Sequence, residues 1–170
     1  KADAIRTRLA KSINTKYQEN PAYYENFSKR IKEALELYKA RTITEAEYLA
    51  KMRDILEDYR TGKSAIAYPD RIRANVHAQA FYGVLTAIFS NEKLSVEPDF
   101  AAEMALDITT IIEKHSQVDW THNLTIHDRI SQDIDDLFYR YQKEMGLVLS
   151  FDVIDMIIEN VKTVALRRFA

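Results

Sequence analysis

Cysteine is absent from the 170 residues, so neither a disulfide framework nor a thiolate metal ligand or nucleophile is available. The absence is compatible with a reducing, cytoplasmic compartment. Glycine and proline each occur only three times, which leaves little material for the many tight turns of a sandwich or barrel. Helices joined by short connections are expected instead. No apolar run approaches the roughly 20 residues that a membrane-spanning helix needs, and no signal sequence opens the chain. Internal repeats and low-complexity tracts are also missing. With 46% hydrophobic residues the chain can bury one sizeable core, and a single domain over residues 1–170 is expected. There is no initiator Met and a helical pattern begins at once, which reads as a piece excised from a longer polypeptide.

The formal net charge of −2 is unevenly spread. Residues 1–63 carry 14 Lys+Arg against 10 Asp+Glu, whereas residues 91–136 carry 3 against 11. A basic segment neutralises phosphates and an acidic one repels them, so a nucleic-acid surface belongs in the first third of the chain. The competing reading is that both are solvated helix faces.

Seven helices in one irregular all-α bundle are predicted. Ile5, Leu9, Ile13 and Tyr17 recur at helical spacing and face one side. Lys1, Arg8 and Lys11 project from the other, with Arg6 and Lys16 at the flanks. Asn20-Pro21 opens a second helix that turns Tyr24, Phe27, Ile31, Leu35 and Tyr38 inward. Thr44 and Glu47 form a capping box before the third, with Ile43 and Tyr48 placed for a hydrophobic staple and Gly62 as a left-handed stop. A fourth helix is expected over about Ile72 to Phe89, with Val76, Ala80, Phe81, Val84, Leu85 and Ile88 inward. The fifth begins near Pro98 and buries Phe100, Met104, Ile108, Ile111 and Ile112. Residues 116–123 read as a loop. The sixth carries Ile126, Ile130, Ile134, Leu137, Phe138 and Tyr141 and ends near Gly146. The seventh starts at a Ser150 cap and turns Ile154, Ile157, Ile158, Val161 and Ala165 inward. Leu147-Val148-Leu149 fits a short extended piece, but one strand makes no sheet.

No catalytic residue and no metal site can be assigned. Thr61-Gly62-Lys63-Ser64 resembles the end of a phosphate-binding loop, but that motif needs a glycine where Glu57 stands, and a preceding strand. A helix stop is the better reading. His122 and His127 are five apart, not the four that aligns two ligands on a helical face. His77 reads as a hydrogen-bonded core histidine, and His115 closes a helix, where the dipole favours an imidazolium. Asp133, Asp135 and Asp136, and separately Asp99, Glu103 and Asp107, read as a solvated or protein-docking acidic face rather than as acid-base or cation sites.

The aromatic content is high: ten tyrosines, seven phenylalanines and one tryptophan. Tyr23-Tyr24, Phe81-Tyr82 and Phe138-Tyr139-Arg140-Tyr141 cannot all turn inward, so some stay exposed or are covered by a partner. Trp120 lies in a polar connection where helical periodicity gives an indole no reason to be. It is the candidate docking anchor; the alternative is a lid folded back on the core.

The run Asn20-Pro21-Ala22-Tyr23-Tyr24-Glu25-Asn26-Phe27-Ser28, with Arg30-Ile31 and the stretch Arg41 to Leu49, resembles the C-terminal region of the motor (R) subunit of Type I restriction-modification enzymes. Asp119-Trp120, Ile130 through Phe138, Phe151-Asp152-Val153-Ile154 and Arg167-Arg168 extend the resemblance over essentially the whole chain. The family's R subunit combines an endonuclease domain, ATP-hydrolysing motor domains and helical regions after them. The resemblance implies a bacterial cytoplasmic protein whose parent subunit uses ATP and Mg, whereas this domain has no cofactor of its own. It further implies a module that holds the motor subunit on the methyltransferase (M) subunits and contacts duplex DNA without regard to sequence. The candidate DNA contacts are Lys1, Arg6, Arg8, Lys11 and Lys16. Two other readings remain open: a free-standing helical regulatory domain with one protein partner, and a small enzyme with a carboxylate-bound metal.

Overall fold

The computed structural model describes every residue from Lys1 to Ala170. It contains seven α-helices and no strand: α1 (Ala2–Lys16), α2 (Pro21–Lys39), α3 (Glu45–Thr61), α4 (Val76–Asn91), α5 (Pro98–His115), α6 (Leu124–Met145) and α7 (Phe151–Arg168). Short 3-10 turns occupy Tyr17–Glu19, Asp70–Ile72 and Trp120–His122. The all-α expectation holds, and Leu147-Val148-Leu149 forms no strand.

Local chemistry explains several helix ends. Thr44 accepts from the backbone N–H of Glu47 while the Glu47 carboxylate accepts from that of Thr44, which completes the capping box of α3. Gly62, at φ 76°, ends the helix in the left-handed region. Lys63 N–H donates to Asp58 O at 2.8 Å, so the Thr-Gly-Lys-Ser run is a helix stop. Gly146 ends α6 in the same way, and Ser150 caps α7 through Val153 N–H. Two boundaries differ from the periodicity. α4 begins at Val76, because Asn75 accepts from Ala78 N–H and the preceding residues close as a 3-10 turn. Val76 is therefore a first-turn residue, 59% exposed rather than inward. Asn123, expected in a loop, caps α6 by accepting from Thr125 and Ile126.

The chain divides into two compact units. The first comprises residues 1–17 and 21–67. In it α1, α2 and α3 bury Leu9, Ile13, Phe27, Ile31, Tyr48, Met52 and Ile55. Phe27 is ringed edge-on by Tyr23 and Tyr59, and Tyr38 stacks on Tyr48 at 4.5 Å. The second unit comprises residues 18–20 and 68–170. There α4 is buried nearly all round, from Ala78 to Phe89, as its continuous apolar run requires. α5 and α7 pack against it, and α6 packs on both. The expected stripes of α6 and α7 are buried except for Ile126, which like Phe100 and Ile111 of α5 is only partly covered, and Ala101, Ala102 and Ala105 add a close-packed face to α5.

Candidate interaction surfaces

The α1 basic residues stand largely as the 3.6-residue period places them. Lys1, Arg8, Lys11 and Lys16 are exposed. Arg6 is only partly so, and its Nε is 3.4 Å from Asp3 Oδ1. A stripe of exposed cations thus runs along the solvent side of the helix, with Arg6 drawn to its edge.

Trp120 is not on a surface. It is 3% exposed and belongs to the core of the second unit. Its indole N–H donates to Phe169 O at 2.9 Å, its ring meets that of His127 edge-on, and its own carbonyl oxygen lies 3.0 Å from His127 Nε2. A docking anchor needs area to offer a partner, and this indole has already committed its area and its N–H internally. The docking expectation for Trp120 is corrected accordingly: the residue is a lid on the core.

The acidic side chains are tied into local networks. His115 is buried, and its Nε2 lies 2.6 Å from Asp133 Oδ2, which Lys114 Nζ approaches at 3.6 Å. Asp107 accepts from the Tyr141 hydroxyl and lies 3.4 Å from Arg140 Nη2. Burial and the hydrogen bond to Asp107 push the Tyr141 phenol well above its ordinary pKa, so Tyr141 is a neutral donor. Asp136 accepts from Gln132 at 2.8 Å. One member of each acidic set, Asp133 and Asp107, therefore braces α5 against α6, and no three His, Asp or Glu side chains converge as a ligand set.

His77 is hydrogen-bonded, as expected, but it is half-buried rather than a core residue. Its Nδ1 accepts from Arg168 Nε at 3.0 Å, and Arg168 Nη1 also donates to Glu19 O at 2.7 Å. Burial, and secondarily the Arg168 guanidinium, lower the His77 pKa below its ordinary value, while Glu113 opposes them.

Of the aromatic clusters, Phe81, Tyr82, Phe138 and Tyr141 turn inward while Tyr139 is exposed, with Lys143 over its ring. The largest surprise is the α6–α7 turn. Phe151 is 85% exposed, Val148 74% and Met145 54%. Phe151 stands three and seven residues before Ile154 and Ile158, in phase with the buried stripe of α7, so periodicity alone places it inside. As the first residue of the helix it overhangs the core, and nothing in this unit covers it.

Against known proteins, residues 1–165 match the family described as Type I restriction enzyme HindI endonuclease subunit-like, C-terminal. A curated relative, the Type I restriction enzyme HindI endonuclease subunit of Haemophilus influenzae, is 25% identical over 127 residues. The aligned part is 75% of this chain but only 12% of that relative. No solved structure matches. With nearly its full length covered by that one family, the chain belongs to the C-terminal domains of Type I restriction enzyme endonuclease subunits of the HindI type.

Proposed function

We propose that this domain is a non-catalytic assembly module, which holds the endonuclease and motor subunit of a Type I restriction enzyme on its methyltransferase core. The observation that carries the reading is the uncovered apolar group Met145, Val148 and Phe151 at the α6–α7 turn. An exposed phenylalanine close in sequence to two other exposed apolar side chains is the kind of anchor on which protein docking depends. The partner assigned in this reading, the methyltransferase subunits, follows from the resemblance to the motor subunit of Type I restriction-modification enzymes. The ATP, Mg and nuclease chemistry of the enzyme reside in the rest of the parent subunit, in the bacterial cytoplasm. The test is capture of this chain by the purified methyltransferase core. Wild type binds, and Phe151→Asp with Val148→Asp does not. Equal capture of both would remove the patch from the interface.

The exposed cations of α1 support a second, compatible role. Lys1, Arg8, Lys11 and Lys16 offer a row of exposed charges, which suits weak binding of duplex DNA through its phosphates.

A further inference from the structure

The three-helix unit has one open seam. α1 and α2 both pack on α3, but where they face each other the positions are filled by the small or polar Ala10, Asn14 and Ser28. The result is a groove of about 220 Å³, with exposed Ala10 and half-buried Leu35 on its walls, buried Ile13 and Ile31 at its base, and Arg6 and Lys32 at its mouth. No carboxylate lines it. Arg6 shares its charge with Asp3 at the edge, whereas Lys32 is exposed.

An apolar floor between two helices, with cations at the rim, complements a third element of opposite pattern: a helix with an apolar stripe and acidic flanks. Laid along the seam, such a helix would turn the three-helix packing into a four-helix bundle. Duplex DNA fits poorly, because a phosphate brought over Ile31 and Leu35 loses water against apolar side chains that cannot replace its hydrogen bonds. We propose that the α1–α2 groove docks one acidic amphipathic helix of a partner protein, its apolar anchors on Ala10, Leu35 and the edge of Ile31 and its carboxylates toward Arg6 and Lys32. This goes beyond the assembly reading and uses none of the α6–α7 residues, so either can fail alone.

The experiment uses two synthetic peptides of about four helical turns. They share a leucine stripe at helical spacing and differ in flanks of glutamate or lysine. Binding to the 170-residue chain is followed by methyl NMR. The acidic peptide should bind and move the Ala10, Ile31 and Leu35 methyls, while the lysine peptide should not. Ala10→Trp, which fills the groove from an exposed position, should weaken the acidic peptide about tenfold or more. Arg6→Glu with Lys32→Glu should exchange the preference between peptides, which keeps the test decisive if Ala10→Trp disturbs the fold. Equal binding of both peptides, or shifts confined to other residues, would overturn the proposal. So would a short DNA duplex that moves the same methyls, or self-association that Ala10→Trp abolishes, which would assign the groove to a second copy.

Discussion

Trp120 Nε1 donates to the backbone carbonyl oxygen of Phe169 at 2.9 Å, a bond between residues 49 apart in the chain. It ties the α5–α6 connection to the C-terminal end of α7. The same end is held from α4: the Phe169 ring lies 4.3 Å from His77 and nearly parallel to Phe81, and Arg168 donates to His77. One end of the second unit is thus closed by side chains that are distant in sequence.

Truncating that closure should be costly. Trp120→Ala removes a buried indole and leaves a cavity, and a loss of about 3–5 kcal/mol is expected. Trp120→Phe keeps much of the apolar volume but loses the hydrogen bond to the half-buried Phe169, which costs about 0.5–1.5 kcal/mol. Urea denaturation of both variants is the measurement. An unchanged midpoint for Trp120→Ala would contradict the lid.

His77 gives the same closure a pH dependence. Its pKa is lowered in the folded chain, so below the ordinary histidine pKa of about 6.5 the unfolded chain binds the proton first. The contribution of neutral His77 is therefore complete above that pH and is lost as pH falls through the folded pKa. Melting temperature should decline from pH 7 toward pH 5 more in wild type than in His77→Gln. Parallel pH profiles would show that the lowered pKa contributes nothing measurable.

Helix ends and stripes were legible in the sequence because their causes are local. Thr44, Glu47, Gly62, Gly146 and Ser150 act on backbone groups within a few residues. The buried positions of α6 and α7 followed from spacing alone. Asn75 and Asn123 were equally local signals, and attending to Asn as a cap would have placed both helix starts. Trp120 and Phe151 were not legible. Trp120 sits in a connection, where periodicity carries no information, and its burial is decided by Phe169 and His127. Phe151 obeys the period and is exposed all the same, because covering a first-turn residue depends on what lies beyond the helix end.

The capping box offers a calibration of these local effects. Thr44→Ala removes the acceptor for Glu47 N–H on an exposed helix end and should cost about 1 kcal/mol. Thermal melting followed by circular dichroism would show it, and Thr44→Ser should retain most of the stability. A serine variant as weak as alanine would mean that the hydroxyl is not the stabilising group.

On α1, the phosphate reading predicts a salt response. Each phosphate neutralised by an exposed cation releases condensed counterion. Arg8→Gln with Lys11→Gln should therefore flatten the slope of log K against log salt by about one unit for each phosphate no longer neutralised. Binding should fall alike on unrelated duplex sequences. A slope identical to wild type would leave these residues as a solvated face.

The docking reading separates from stability at Phe151. A side chain 85% exposed in this chain has little to lose on truncation, and Phe151→Ala should alter folding free energy by no more than about 0.5 kcal/mol. If the same ring is buried on assembly, the variant should weaken capture by the methyltransferase core by about 2 kcal/mol or more, close to a thirtyfold change in affinity. Val148→Ala, which removes a smaller side chain, should cost less. The contrast with Trp120 is the discriminating feature. Trp120→Ala should lower the melting temperature and affect capture only through the unfolded fraction, so that capture at low temperature remains near wild type. A Phe151→Ala chain that binds normally while Trp120→Ala binds poorly when fully folded would move the interface from the α6–α7 turn to the closed end of the unit.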